Sequence, residues 1–372
     1  MRFDSARTRA EELLAAADVA INGGRPWDIQ VHDERLYARA LAQGELGLGE
    51  AYMDGWWDCE QLDECVCRFV RAALHIRIRP FGDALRVLGA RVVNLQMPTR
   101  AFRVGREHYD IGNDLFSRML DRRMIYSCGY WKDAVTLGDA QEAKLDLVCR
   151  KLDLRPGMRV LDIGCGWGGT ALFAAERYGV SVVGLTVSEE QAKHARRLCE
   201  GHDIEIRLQD YRRLEGRFDR VLSLGMFEHV GYKNHDTFLR IVRSHVADDG
   251  LVLLHTIGAN RSARRAGAWI DRYIFPNSLV PSARQIGTAV ERKFVLEDWH
   301  SFGADYDTTL MHWHRNFERH WPELQDRYGE RFHRMWRYFL LSSAGGFRAR
   351  KNQVWQILLS PHGVPGGYRA PR

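Results

Sequence analysis

Residues 159–169 read RVLDIGCGWGG, a short apolar run followed by Gly164, Gly166 and Gly169 in G-x-G-x-x-G spacing, and TALFAAERYG comes next with the pattern of a helix. A strand, a glycine turn and a helix in that order make a ligand cradle. Glycines let the backbone approach the ligand, and the first turn of the helix offers N–H groups with no intrahelical partner. Taken alone, the turn suits a dinucleotide and S-adenosylmethionine equally well.

Three neighbouring features favour S-adenosylmethionine. Asp162 stands at the strand end, just before the first glycine. A carboxylate there attracts the ammonium of a methionine moiety and repels a pyrophosphate. The following strand ends GLTVSEEQ, with Thr186 at the tip where a nicotinamide site needs an acid for the ribose. Glu189 comes later, inside a helix start capped by Ser188 with Gln191 three residues on. RLQDYRRL then places Asp210 and Tyr211 after the third strand, an acid for an adenine amino group and an aromatic ring to stack on it.

Other residues are chemically capable but ambiguous. Cys128 in MIYSCGYW has the types around it for a nucleophile, a metal ligand or a small buried side chain. Nothing close in sequence would lower its thiol pKa. Glu228 in MFEHVG follows the fourth strand, at the carboxyl edge where such sheets bind ligands, though a lone glutamate there also caps helices. His255 in LHTIG ends the fifth strand, and Tyr306 lies in an aromatic-rich region where most tyrosines are core. Cys59, Cys65 and Cys67 lie close together without a second Cys/His pair at zinc-site distance, so no metal is expected.

The elements that must position these groups follow from periodicity. From about residue 140, AQEAKLDLVCRKLDL reads as an amphipathic helix stopped by RPGM. Strands RVLDI, VSVVGLTV, IEIRLQD, FDRVLSLGM and LVLLHTI then alternate with helices, the last helix falling near 236–247. That alternation predicts an α/β fold, a parallel sheet with helices on both faces. Residues 1–95 read as mainly helical with no convincing strand pair, and NLQMPTRAFRVG, 94–105, reads as a linker. In the aromatic-rich C-terminal part, Trp313, Phe317 and Trp321 share one helix face and Phe332, Trp336 and Phe339 another, with a break between the two helices at WPEL.

With 45% hydrophobic and 27% charged residues over 372 positions, the chain has the composition of a globular protein with a sizeable core. Seven cysteines at irregular spacing imply no disulfide framework and fit a reducing cytoplasm. No signal peptide is expected, and no apolar run approaches the ~20 residues of a membrane span. The net charge is +6, unevenly spread: nine arginines and one acid, Asp83, lie between Arg68 and Arg106 among Phe69, Ile76, Ile78, Phe81 and Leu85. Cationic and apolar side chains interleaved in this way suit an anionic membrane surface, and equally a solvated helix face. No nucleic-acid motif accompanies them.

GLGEAYMDGWW, HYDIGNDLFSRML, YSCGYW, LDIGCGWGG, GLTVSEEQ, MFEHVG, LHTIG, FGADYDTTLMHW and GGFRAR, spread from about residue 46 to 350, together resemble the cyclopropane-fatty-acyl-phospholipid synthase family. GLGEAYMDGWW is similar to the bacterial phospholipid-acting branch, which carries an extra N-terminal helical domain. The resemblance implies a Rossmann-like class I methyltransferase domain over 123–372, a smaller helical domain over 1–95 in contact with lipid, and a lead-in over 96–122.

The activity implied is transfer of a methylene group from S-adenosylmethionine to the cis double bond of unsaturated phospholipid acyl chains, with bicarbonate as the base. By the same resemblance, Cys128, Glu228, His255, Tyr306 and the backbone N–H of Ile257 form the bicarbonate site. The implied cofactor contacts are Tyr126, Ser127, Asp162, Gly164, Gly166, Gly168, Thr186, Val187, Gln191, Asp210 and Tyr211. His229, next to Glu228, is expected to point elsewhere. A homodimer at the inner face of the cytoplasmic membrane would suit the family. Two alternatives stay open: a related methyltransferase acting on another lipid or a small amine, and a non-catalytic lipid-binding relative.

Overall fold

The computed structural model describes residues 3–74 and 111–372. Within them the chain forms two compact units, one of residues 3–74, 265–276 and 306–352, the other of 111–264, 277–305 and 353–372. The linker expected at 94–105, the domain boundary near 95 and all arginines from Arg77 to Arg106 lie outside the described residues.

The first unit is mainly helical. It holds α1 (Phe3–Ala15), α2 (Arg35–Gln43), α3 (Glu45–Met53) and α4 (Leu62–Arg71). One small antiparallel ladder, which the sequence reading did not anticipate, pairs β1 (Gln30–Val31) with β2 (Trp57–Asp58). Strands of two residues are too short to show alternation. The unit takes in chain well beyond residue 95: a helix at Ala268–Tyr273 packs on α3, and one at Glu330–Arg348 packs along α4 and α3. Buried Trp57, Tyr52, Tyr338 and Trp269 make successive ring contacts, with centroids 5.1, 5.3 and 4.7 Å apart. Arg348 ties two segments of the unit together, at 2.6 Å from Asp63 and 2.9 Å from Asp307.

The break expected at WPEL is not there. The helix Asp305–Tyr328 runs through Pro322 and ends before Gly329, whose φ of 72° begins the turn into the next helix. Trp313, Phe317 and Leu324 are buried along one side of that helix. Burial of such side chains, about 1.5–3 kcal/mol each, compensates for the hydrogen bond that proline removes.

The second unit is built on a seven-stranded sheet. Its lead-in carries α5 (Asn113–Met119) and α6 (Leu137–Lys151), the latter opened by a Thr136/Asp139 capping box. Then come β3 (Arg159–Ile163), α7 (Gly169–Tyr178), β4 (Ser181–Thr186), α8 (Glu189–Leu198), β5 (Ile204–Leu208), β6 (Phe218–Leu224), α9 (His235–His245) and β7 (Val246–Ala259). As expected from the alternation, β4–β5, β3–β4, β3–β6 and β6–β7 all pair in parallel.

The full strand order is β5-β4-β3-β6-β7, followed by the strand Asn352–Ser360 and then the strand Val295–Ser301. The chain winds outward from β3 in both directions, so the carboxyl ends of β3 and β6 mark the crevice where such sheets bind ligands. Two strands at one edge were not foreseen, β8 (Val295–Ser301) and β9 (Asn352–Ser360), which pair antiparallel with each other. Buried strands such as β9 read as continuous apolar runs that periodicity does not separate from buried helix. Ser188 caps α8 by accepting the N–H of Gln191 at 3.2 Å, as its sequence predicts.

Candidate active site

A cleft opens at the carboxyl ends of β3, β4 and β6. Tyr126, Ser127, Asp162, Gly164, Gly166, Thr186, Val187, Gln191, Asp210 and Tyr211 all line it. The backbone turns sharply after β3, with φ values of 89° at Gly164, 56° at Gly166 and 91° at Gly168. A Cβ on Gly166 would meet open space, so this backbone leaves room for a ligand. Gly168 differs from the other predicted contacts and does not line the cleft. A Cβ there would sit 3.0 Å from Ala195 Cβ and 3.1 Å from Cys199 Sγ, so this glycine seats the turn against α8 and its neighbour.

Asp162 supplies the cleft's most perturbed acid. It is buried at the end of β3, and burial pushes its carboxyl up to about 7, opposed by the nearby Lys144 ammonium. Its Oδ2 has no hydrogen-bond partner among the described residues. A buried carboxylate oxygen with open valence at the cleft wall fits the ammonium of an amino-acid ligand. Thr186 donates its hydroxyl to Gln191 Oε1 at 2.9 Å, fixing both residues at the β4 tip. Asp210 accepts the Arg212 backbone N–H at 2.8 Å and the Arg212 guanidinium at 2.9 Å, and a carboxylate has further lone pairs for an amino group. Tyr211 packs its ring edge-to-face on Phe238 at 5.1 Å. The acid at the end of β3 and the acid and ring that follow β5 thus line one and the same cleft.

The residues expected to form the second site lie in several places. Glu228 sits on the one-turn segment Phe227–His229 after β6. Its Oε1 accepts the Ile257 N–H at 2.7 Å, and its Oε2 has no partner among the described residues. Burial raises the carboxyl to about 7, with the Ile257 bond pulling the other way. The Ile257 N–H, expected to face an anion, is therefore directed at Glu228. His255 lies two residues earlier in β7, opposite Leu224 in the β6 ladder. Burial, reinforced by Lys144 and Lys151, holds its imidazole neutral, well below its usual pKa. Its Nδ1 is 3.5 Å from Gln356 Nε2 on β9. Cys128 is fully buried, with Sγ 3.2 Å from the Gly129 carbonyl. Tyr306 falls in the helical unit, where it stacks on Phe347 at 4.6 Å and meets Trp313 edge-on at 5.9 Å.

Two residues were missed in the sequence. His229 lines the cofactor cleft, and its burial lowers the imidazole to about 4. The one-turn helix at 227–229 puts adjacent side chains into different surroundings, which sequence spacing alone does not reveal. Lys144 is fully buried in α6 and donates from Nζ to Ser127 Oγ at 2.9 Å, while Gln141 donates to the Ser127 carbonyl at 2.8 Å. A lysine within AQEAKLDL reads as solvent-facing, so the only available signal was its position on the apolar side of the helix. Among the described residues no His, Cys, Asp or Glu group could hold a metal.

The chain is 55% identical over 364 residues to a cyclopropane-fatty-acyl-phospholipid synthase of Escherichia coli K12, covering 98% of this chain and 95% of that protein. In three dimensions it is similar to the mycolic acid cyclopropane synthase CmaA1 complexed with SAH and CTAB, at 31% identity and a TM-score of 0.66, over 69% of this chain and 97% of that one. The fold also matches coclaurine N-methyltransferase bound to N-methylheliamine and SAH, at 21% identity and a TM-score of 0.70, over 84% of this chain and 98% of that one. Residues 96–357 match the mycolic acid cyclopropane synthetase family. With its class I methyltransferase sheet and the cleft at the end of β3, the chain belongs to that family.

Proposed function

We propose that this protein transfers a methylene group from S-adenosylmethionine to the cis double bond of unsaturated phospholipid acyl chains, leaving a cyclopropane ring. The observation that carries this reading is the near full-length identity to the Escherichia coli synthase. Supporting it are a cleft suited to the cofactor and, apart from that cleft, a buried acid at Glu228, a buried imidazole at His255 and a buried thiol at Cys128.

When bound, S-adenosylmethionine supplies an electrophilic methyl group. The chain's part is to hold the sulfonium in line with a weakly nucleophilic alkene and to exclude water from the cationic transition state. Asp162 anchors the ammonium, the Gly166 backbone permits close approach, and Asp210 with Tyr211 receives the adenine. Net transfer of CH₂ requires that one proton leave the added methyl carbon, so a base is needed beside it. Bicarbonate suits this role, held by Glu228, His255 and Cys128. Neutral His255 would donate one hydrogen bond to the anion, and Glu228 Oε2 would accept the hydrogen bond of its hydroxyl. Ile257 then acts by fixing Glu228.

The helical unit and the arginine-rich stretch 68–106 serve to meet an anionic membrane surface at the cytoplasmic face, in keeping with a phospholipid substrate. No helix of the described residues is long and apolar enough to cross a membrane, and peripheral docking requires none. A homodimer is part of this reading, and light scattering of the purified protein tests it.

The decisive experiment is incubation of the protein with vesicles of unsaturated phospholipid and labelled S-adenosylmethionine, followed by mass analysis of the acyl chains. A gain of one CH₂ with loss of the double bond supports ring formation. The same gain with the double bond retained shows methylenation or a shifted alkene, and no transfer to lipid overturns the reading.

A further inference from the structure

Lys144 is a fully buried lysine with no place in the chemistry above. Its Nζ lies 2.9 Å from Ser127 Oγ, and the charged or ionisable groups acting on it are Asp121, Cys128 and Asp162, with His255 also feeling its charge. Asp121 is occupied elsewhere, accepting the N–H groups of Arg123 at 3.0 Å and Ile125 at 2.9 Å. Ser127 and Asp162 both line the cofactor cleft.

An ammonium has three donors and no acceptor, so in the Lys144–Ser127 bond the serine oxygen must accept. The Ser127 hydroxyl proton is then left for a different acceptor, and the neighbouring positive charge makes it a stronger donor. Gln141, one helical turn earlier on α6, holds the Ser127 carbonyl at 2.8 Å and keeps the segment in place. Beside Asp162, which suits an ammonium, this arrangement presents a polarised donor suited to a carboxylate. An α-amino acid carries both groups on one carbon.

We propose that Lys144 is a positioning residue that fixes Ser127 as a hydrogen-bond donor to the carboxylate of the cofactor's amino-acid end. This rests on the reading that the cleft binds S-adenosylmethionine. It adds that the protein selects the intact amino acid through a buried cation that does not touch the ligand.

The test is titration calorimetry with S-adenosylmethionine and with its decarboxylated analogue, which keeps the sulfonium and ammonium but lacks the carboxylate. Wild type, Ser127→Ala, Lys144→Met and the double variant are compared. Wild type is expected to prefer the intact ligand by about tenfold or more. Ser127→Ala and Lys144→Met should each reduce that preference to within about threefold, and the double variant should lose no more than either single one, as for residues acting in one chain. Removing Lys144 also alters the field at Asp162, but that effect falls on both ligands alike and cancels in the ratio.

Equal loss for both ligands in Lys144→Met, or an unchanged preference, overturns the proposal. Should Lys144→Met not fold, Ser127→Ala, which keeps the lysine, still decides: an unchanged preference overturns the proposal and a lost one supports it. A wild type that binds neither ligand overturns the cofactor reading itself, and this inference with it.

Discussion

Glu228 Oε1 accepts the Ile257 backbone N–H at 2.7 Å, joining the turn after β6 to the end of β7. The bond fixes one carboxyl oxygen and leaves the other buried without a partner among the described residues. A group held in this way is oriented for work on something outside itself, and its folded-state pKa of about 7 is the cost of its burial.

Glu228→Gln is expected to bind S-adenosylhomocysteine as the wild type does and to lose ring formation roughly tenfold or more, the size of one hydrogen bond to a charged group. Gln can still accept the Ile257 N–H. Calorimetry beside the vesicle assay checks this, and unchanged turnover removes Glu228 from the mechanism.

The same substitution has a signed effect on stability. Because the folded pKa of Glu228 is raised from the ordinary 4.5 to about 7, the folded state binds the proton more tightly than the unfolded chain. The stability this contributes is complete below the unfolded pKa and is lost as pH rises through the folded one. Relative to wild type, Glu228→Gln should therefore gain about 1–3 kcal/mol between about pH 5 and about pH 8. Urea denaturation at the two pH values measures the difference, and a variant stability that falls relative to wild type as pH rises contradicts the assignment.

Asp162→Asn should weaken S-adenosylhomocysteine binding by roughly tenfold or more, since the amide keeps the shape and loses the charge facing the ammonium. Affinity within about twofold of wild type would mean the ammonium lies elsewhere.

Gly166→Ala and Gly168→Ala separate ligand approach from packing. Both positions have positive φ, so each alanine costs about 1–2 kcal/mol of strain. At Gly166 the added methyl projects into open space beside the cleft, and at Gly168 it meets Ala195 and Cys199. The first variant should lose about tenfold in cofactor affinity, the second chiefly thermal stability. Calorimetry and melting curves on both proteins reveal whether the two effects are exchanged.

Arg77, Arg79 and Arg86 test the membrane role. Each arginine near an anionic surface contributes about 1 kcal/mol, and exposed charges are screened over ~8 Å at physiological ionic strength. Their replacement by Gln should greatly reduce flotation with anionic vesicles at low salt and leave cofactor affinity constant. Equal flotation of both proteins at low and high salt excludes this stretch from membrane docking.

Much of the sheet and the cofactor turn was legible in the residues themselves. The glycines of GCGWGG, the acid before them and the Ser188–Gln191 cap are local features, set by backbone sterics and hydrogen-bond valence within a few positions. The alternation of apolar runs and amphipathic helices likewise determined the parallel strands β3 to β7. What the tertiary structure alone decided concerns residues distant in sequence. It brings Lys144 to Ser127, Ile257 to Glu228, and β9 beside β7 from the far side of two long helices. It also turns Gly168 away from the cleft and His229 into it. Burial is a property of the assembled core, and with it the carboxyls of Asp162 and Glu228 rise to about 7. A sequence shows which groups can ionise; only the packing around them sets the free energy of the charge.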